Sequence, residues 1–367
     1  MMKGRERFLT ALANEKPDRL PCQVHSWMGY YLKTYLDGAD QYGAYARFGM
    51  DPVIYTGPGY IFDPSALADW QVEHRDLGTG SGGERYWVRT ITTPSGALTC
   101  RGTDNEFTGW TMEHVIKTEQ DFEIWNKHVP VPTGADWSPV LEAKRRIGDT
   151  GIVRGGIFDF GQGSPWQSFC TLYGTVQAIM AAVDNPRWVH YVLESMLQKK
   201  LRAIEVGGRI ELDLIETGGG AGSNTVISPA LHREFCLPYD RRQHAAIHAA
   251  GPTKIVYHLC GGLMKMLDLV AENGADGLET MTPPGMGGDC DLAKAKKRVG
   301  DRLLFIGGFD QNRGFEKGTP ETAAQMVQEL HAACPNGGYI CSPSDHFFFG
   351  SPENIQAFVD AAKQCSY

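Results

Sequence analysis

The feature that most constrains the fold is an alternation of short apolar runs with longer amphipathic ones. Eight β-rich or apolar runs recur: PCQVHSW (21–27), DPVIYTG (51–57), GIVRGGIFDF (151–160), ELDLIETGGG (211–220), KIVYHLCG (254–261), DGLETMTP (276–283), LLFIGGFD (303–310) and GGYICSP (337–343). Between most of them lie stretches with helical periodicity, such as 186–206, 228–249 and 320–333. Three helix starts carry a capping residue followed by proline: Ser228-Pro229, Thr319-Pro320 and Ser351-Pro352. Strands that alternate with helices make a parallel sheet, and about eight such units close most naturally into a (β/α)8 barrel. An open doubly wound sheet is the alternative. The rhythm breaks at 58–150, where YWVRTITTPSGALTCRG (86–102) alternates like a β-hairpin around Pro94-Ser95-Gly96. This reads as an insertion after the second strand, lying over the barrel mouth of a single α/β domain, 1–367.

Composition narrows the partners. The chain is 42% hydrophobic and 21% charged, which is ordinary globular composition with enough apolar residues for a large core. A formal net charge of −8 and no basic stripe argue against nucleic acid. The opening MMKGRERFLTALANEKPDRLP lacks the apolar centre of a signal peptide, and no segment approaches the roughly 18 consecutive apolar residues of a membrane span. The expectation is a cytoplasmic protein with no membrane partner. Nine dispersed cysteines are an odd number without an export signal, so a disulfide framework is not expected.

In a barrel of this type, side chains at the C-terminal ends of the strands converge on one site. Those ends carry His25, Asp159, Glu216, His258 with Cys260, Glu279, Asp310 and Cys341. His258 and Cys260 are two apart and share a side; Cys341 and Glu279 can meet them across the mouth. Two thiolates, one imidazole and one carboxylate make a tetrahedral zinc site. The plainer reading is that the cysteines are small buried hydrophobes and His258 a satisfied core histidine. Glu279 either coordinates directly or holds a ligand from behind. Glu216 and Asp310 are candidate catalytic carboxylates that can equally anchor loops. His244 and His248 are spaced for metal but fall toward the opposite face, so a structural role is expected. The glycines of ETGGGAGSN lack a phosphate-loop spacing and read as room for a bulky ligand. Trp27, Tyr30 and Tyr31, with Phe347 to Phe349 after His346, form either packing or an apolar wall for an aromatic substrate. His25, Asp159 and His346 complete the candidate substrate-binding set.

With RERFLTALANEKPDRLP, ISPALHREFCLPY, YHLCGG, GADGLE, GGDCDLAKAKKRVGDRLLFIGGFD, GTPET, GGYICSP and SPENI in place, the chain resembles the uroporphyrinogen decarboxylase superfamily over most of its length. The resemblance implies a (β/α)8 barrel. The decarboxylase branch carries an arginine-rich segment after the first strand for the porphyrinogen carboxylates, and here that stretch is HSWMGYYLKTY, without arginine. An octa-anionic substrate needs cations, so the departure counts against that activity. The other branch comprises zinc-dependent methyltransferases of corrinoid systems, whose His-x-Cys pair and distant Cys are similar to His258, Cys260 and Cys341. Cobalamin-independent methionine synthase looks similar in having a glutamate between its cysteines, where Glu279 stands.

The resemblance thus implies a zinc enzyme that moves a methyl group to or from a corrinoid. No Asp-x-His-x-x-Gly stretch resembling a corrinoid-binding domain is present, so the cobalamin is expected on a separate corrinoid protein. The leading expectation is transfer from an O-methyl compound, a phenyl methyl ether, to cob(I)alamin. The alternatives are transfer from a methylcorrinoid to a thiol of the coenzyme M type, and a decarboxylase-like or corrinoid-binding barrel without methyl transfer.

Overall fold

The computed structural model describes residues 1–161 and 163–367. Its main sheet has seven parallel strands in sequential order: Val53–Tyr55, Ile152–Gly155, Leu214–Gly218, Lys254–His258, Gly277–Thr280, Leu304–Phe309 and Tyr339–Pro343. Each pairs with the one before it, with Val256 opposite Glu216 and His258 opposite Glu279. Several are buried on every residue, as expected of parallel strands covered on both faces. Helices return the chain between them, among them Pro186–Gly207, Leu237–Ala250, Leu292–Val299 and Pro320–Ala332, and Pro352–Gln364 follows the last strand. The three expected caps are made: Ser228 Oγ accepts from Leu231 N, Thr319 Oγ1 from Thr322 N and Ser351 Oγ from Glu353 N.

The architecture is a curled parallel sheet with helices, consistent with a TIM-like barrel, but it departs from the expected eight strands. The segment 21–27 contributes only one parallel bridge, Cys22 to Cys341, at the free edge of the last strand. Gln23 N donates to Cys341 O and Cys341 N to Pro21 O. Pro21 has no N–H to extend the ladder, and the chain leaves the edge at His25 to enter the site.

Between the first and second strands of this sheet lies a four-stranded antiparallel sheet, Gln71–Thr79, Arg85–Thr93, Gly96–Asp104 and Gly109–Glu113. Its central hairpin turns at Pro94-Ser95, with Thr93 paired to Gly96. The loop after its third strand carries Phe107, whose ring lies 4.6 Å from Tyr30 and 5.4 Å from Phe349. This sheet therefore touches the loops at the C-terminal ends of the parallel strands. Among the described residues, no helix is long and apolar enough to cross a membrane.

Candidate functional site

Strand pleating decides which side chains meet inside the curl, because successive residues face opposite ways. On the fourth strand Tyr257 faces the outer layer, donating its hydroxyl to Asp240 Oδ2 at 2.7 Å. His258 therefore faces in. The same alternation turns Thr217 outward to His244 Nε2, 2.9 Å away, and Glu216 inward. Tyr55, Arg154 and Glu279 join them from the first, second and fifth strands.

These groups form one buried charge network. Arg154, fully buried, lies 2.7 Å from Glu216 Oε2 through Nη2 and 2.9 Å from Glu279 Oε2 through Nη1. Tyr55 donates its hydroxyl to Glu216 Oε2. His258 Nδ1 is 3.2 Å from Glu279 Oε1, and His25 Nδ1 reaches the same oxygen at 2.9 Å. Burial works against charge on Arg154, Glu216, Glu279 and His258, yet on these four the pairing wins. Burial raises the Glu279 carboxyl, but Arg154 and His25 together hold it well below the ordinary carboxylate range. Burial lowers the His258 imidazole, while Cys260 and Glu216 push it well above its usual value.

On the other side of the His258 ring, Nε2 lies 2.7 Å from Cys260 Sγ. Cys260 Sγ in turn lies 3.4 Å from Asp345 Oδ2. The two glycines after Cys260 let its loop thread between neighbours. A Cβ on Gly262 would stand 2.3 Å from Asn224 Nδ2. The loop is laced by side chains: Gly261 N donates to Thr282 Oγ1, Gly262 N to Thr225 Oγ1, and Leu263 N and Met264 N to Asp289 Oδ1. After Glu279 the backbone is strained, with Thr280 at φ +84° and Met281 at φ +45°, both buried. Non-glycine residues persist in that region only where their surroundings hold them, and such strain gathers at functional sites.

The donor chemistry fits a metal ion. His25, Glu216, His258 and Glu279 each offer a ligand atom, all within 4.8 Å of one another, and Cys260 adds a thiol at the edge of that group. Two imidazoles, two carboxylates and a thiol are ligand types that zinc accepts.

Cys341, expected as a ligand, does not join them. It shares its strand face with Tyr339 and lies among Cys22, Cys365 and Cys334 in the outer layer, where burial holds its thiol well above the ordinary range. The pleat turns it away from His258. Asp310, expected near the chemistry, instead accepts from Arg313 N at 3.0 Å and caps the turn at Asn312–Glu316. Asp159 accepts from Gly161 N at 2.9 Å in a loop turn. Neither makes a contact with the charge network among the described residues.

The aromatic set divides. Trp27 lines a cavity of about 400 Å³ beside His25, together with Tyr42, Tyr45 and Tyr55. Tyr31 and Phe347 are buried against each other at 4.9 Å, behind Trp27. Tyr30 packs on Phe107 and Phe349 outside. His346 is exposed, with its ring 5.0 Å from His25 and Nδ1 3.0 Å from Asp345 Oδ1. Of the glycines expected to leave room for a bulky ligand, Gly218 and Gly219 are crowded: a Cβ on Gly219 would stand 2.3 Å from Gln167 Cγ, and one on Gly218 2.5 Å from His258 O, whereas one on Gly220 would meet Cys260 Cβ at 3.6 Å, an ordinary contact.

Three members were not singled out in the sequence. Arg154 had a signal, a lone cation within the apolar run GIVRGG, since a charged residue inside a doubly covered strand needs a buried partner. Asp345 and Tyr55 had none that separates them from other loop and strand-end residues.

Sequential parallel strands in a curled sheet make this an α/β protein, consistent with a TIM-like barrel, and the acid–base and thiol cluster at their C-terminal ends is the candidate site. The sequence profile of uroporphyrinogen decarboxylase (URO-D) matches residues 90–365, and the chain belongs to that enzyme family. Its relatives include the uroporphyrinogen decarboxylase of Pseudomonas putida strain GB-1, 27% identical over 98% of this chain and 97% of its own length. That of Pseudomonas entomophila strain L48 is 26% identical over 98% and 97%. Among solved structures, a methyltransferase from Methanosarcina mazei superposes with a TM-score of 0.64 at 14% identity, covering 99% of each chain. That likeness shows the shared fold.

Proposed function

We propose that this chain is a zinc-dependent methyltransferase that takes a methyl group from a phenyl methyl ether and delivers it to cob(I)alamin on a separate corrinoid protein. The observation that carries the reading is the His258–Cys260 pair, in contact at 2.7 Å at a strand end and backed by Glu279 on the far nitrogen. A thiol and an imidazole so placed are suited to a metal. Zinc bound there supplies a Lewis acid that stabilises charge on the departing ether oxygen. The chain's own residues do the rest. Glu279 fixes the His258 ring, Arg154 fixes both carboxylates, and the cavity beside His25 receives an aromatic ring between Trp27, Tyr42, Tyr45 and Tyr55.

The same cavity argues against a porphyrinogen. Its lining includes Asp40 but no lysine or arginine, and Arg154 is already committed to Glu216 and Glu279. An octa-anionic ligand would meet carboxylates instead of free cations. The proposed setting is the cytoplasm, where Cys260 stays reduced.

The test is spectrophotometric. Purified protein with cob(I)alamin and a panel of methoxylated aromatics is expected to form methylcobalamin. Failure across the panel, with demethylation of methylcobalamin by an added thiol, would establish the reverse direction. Consumption of uroporphyrinogen without either reaction would sink methyl transfer.

A further inference from the structure

The His258 ring has two sides, and they differ in what they offer a cation. On the Nδ1 side, Glu216 and Glu279 are already held by Arg154 at 2.7 Å and 2.9 Å. A guanidinium does not lose its proton in a protein, so a divalent ion seated there would stand beside a fixed positive charge in a buried space, where repulsion is poorly screened. On the Nε2 side no arginine or lysine is paired with the candidate ligands among the described residues; Asp345 has the His346 imidazole 3.0 Å from Oδ1, a group that, unlike a guanidinium, can give up its proton. There Cys260 Sγ lies between His258 Nε2, at 2.7 Å, and Asp345 Oδ2, at 3.4 Å. Two ligands of a tetrahedral zinc stand about 3.5 Å apart, close to the second of these separations.

Resting on the metal-binding reading above, we propose that the metal is held by His258 Nε2, Cys260 Sγ and Asp345 Oδ2, with Glu279 as a positioning residue on His258 Nδ1. A histidine ligand commonly gives its second ring N–H to a carboxylate, which fixes the tautomer and strengthens the ligand. Glu279 Oε1, 3.2 Å from Nδ1, is placed for that. The last parallel strand then does supply a ligand, four positions beyond Cys341, from the loop that follows Ser344. Binding replaces the proton shared between His258 and Cys260, so metal uptake releases a proton. Three protein ligands leave the fourth tetrahedral position open for substrate.

The experiment is metal binding, read without any turnover: zinc affinity by competition with a chromophoric chelator, and the thiolate-to-metal absorption of the cobalt(II) form. Asp345→Ala should weaken zinc by about tenfold or more. Asp345→Cys should restore binding and strengthen the cobalt absorption, which a merely structural role would not do. Cys341→Ala, whose thiol lies in the outer layer, should bind zinc within about twofold of the parent. Zinc binding that survives Asp345→Ala but is lost in Glu216→Gln would overturn the proposal and place the ion on the Nδ1 side. A parent chain that binds neither zinc nor cobalt would overturn the metal-dependent reading itself.

Discussion

Arg154 and Glu279 touch at 2.9 Å although two strands of the sheet, those carrying Glu216 and His258, separate theirs. Strands lie about 4.8 Å apart, so in a flat sheet these two would be about 14 Å apart. Their contact requires the sheet to curl round on itself, and the ion pair spans the interior. The pair is buried on both sides, so it trades a desolvation cost against attraction.

Removing the cation exposes that balance. Arg154→Met leaves Glu216 and Glu279 facing each other without it, and the loss of one partner from a buried pair costs about 3–5 kcal/mol. Urea unfolding should show a midpoint shifted to lower denaturant with an unchanged slope. An unchanged midpoint would mean that the carboxylates find protons or water at little cost.

A second buried group sets a pH dependence away from the site. Asp240, behind the fourth strand, has its carboxyl pushed up to about 7 by burial, against the hydrogen bond from Tyr257 and the charge of Lys200. The folded state therefore binds a proton that the unfolded chain, with an ordinary value near 3.9, has released. Stability from this group is fully present below about pH 4 and is lost as pH rises toward 7. Asp240→Asn should remove that slope, so the difference in unfolding free energy between variant and parent should grow in the variant's favour from pH 4 to 7. Parallel curves would show that Asp240 is ionised in the fold.

How much of this was legible in the sequence depends on what kind of signal each part leaves. The alternating order of strands and helices, and the caps at Ser228, Thr319 and Ser351, are local and periodic, and the structure has them. The inward set of Glu216, His258 and Glu279 follows from strand ends. Cys341 lies away from His258 because the strand's phase fixes its face, and GGYICSP does not reveal that phase. Arg154 pairs across the curl with residues 62 and 125 positions away, and no spacing rule reaches that far. Segment 21–27 has a strand's composition but lies at a sheet edge, where its neighbours, not its residues, decide how far it pairs.

Cys260 is the only cysteine of the nine that is not buried. A thiol that is partly accessible while the other eight are buried should react first with an alkylating reagent, although burial raises its pKa against the lowering effect of His258. Iodoacetamide under native conditions should label about one thiol per chain, mapped by mass spectrometry to Cys260, and bound zinc should protect it. Labelling of Cys22 or Cys341 at a comparable rate would show that the outer layer opens.

A steric constraint that bears directly on His258 lies at Gly218, two residues after Glu216. Its φ is +86°, and an added Cβ would lie 2.5 Å from the carbonyl oxygen of His258. That obstacle is backbone, which cannot swing aside as a side chain would. Gly218→Ala must therefore adopt an unfavourable φ and also push the third and fourth strands apart, at a cost of about 1–3 kcal/mol. Because the displaced atom belongs to His258, the same variant should weaken zinc binding, whereas Gly287→Ala, also at positive φ but with open space around it, should lose stability alone. Chelator competition on the two variants separates these effects. Equal zinc affinity in both would mean that the imidazole holds its place independently of the strand behind it.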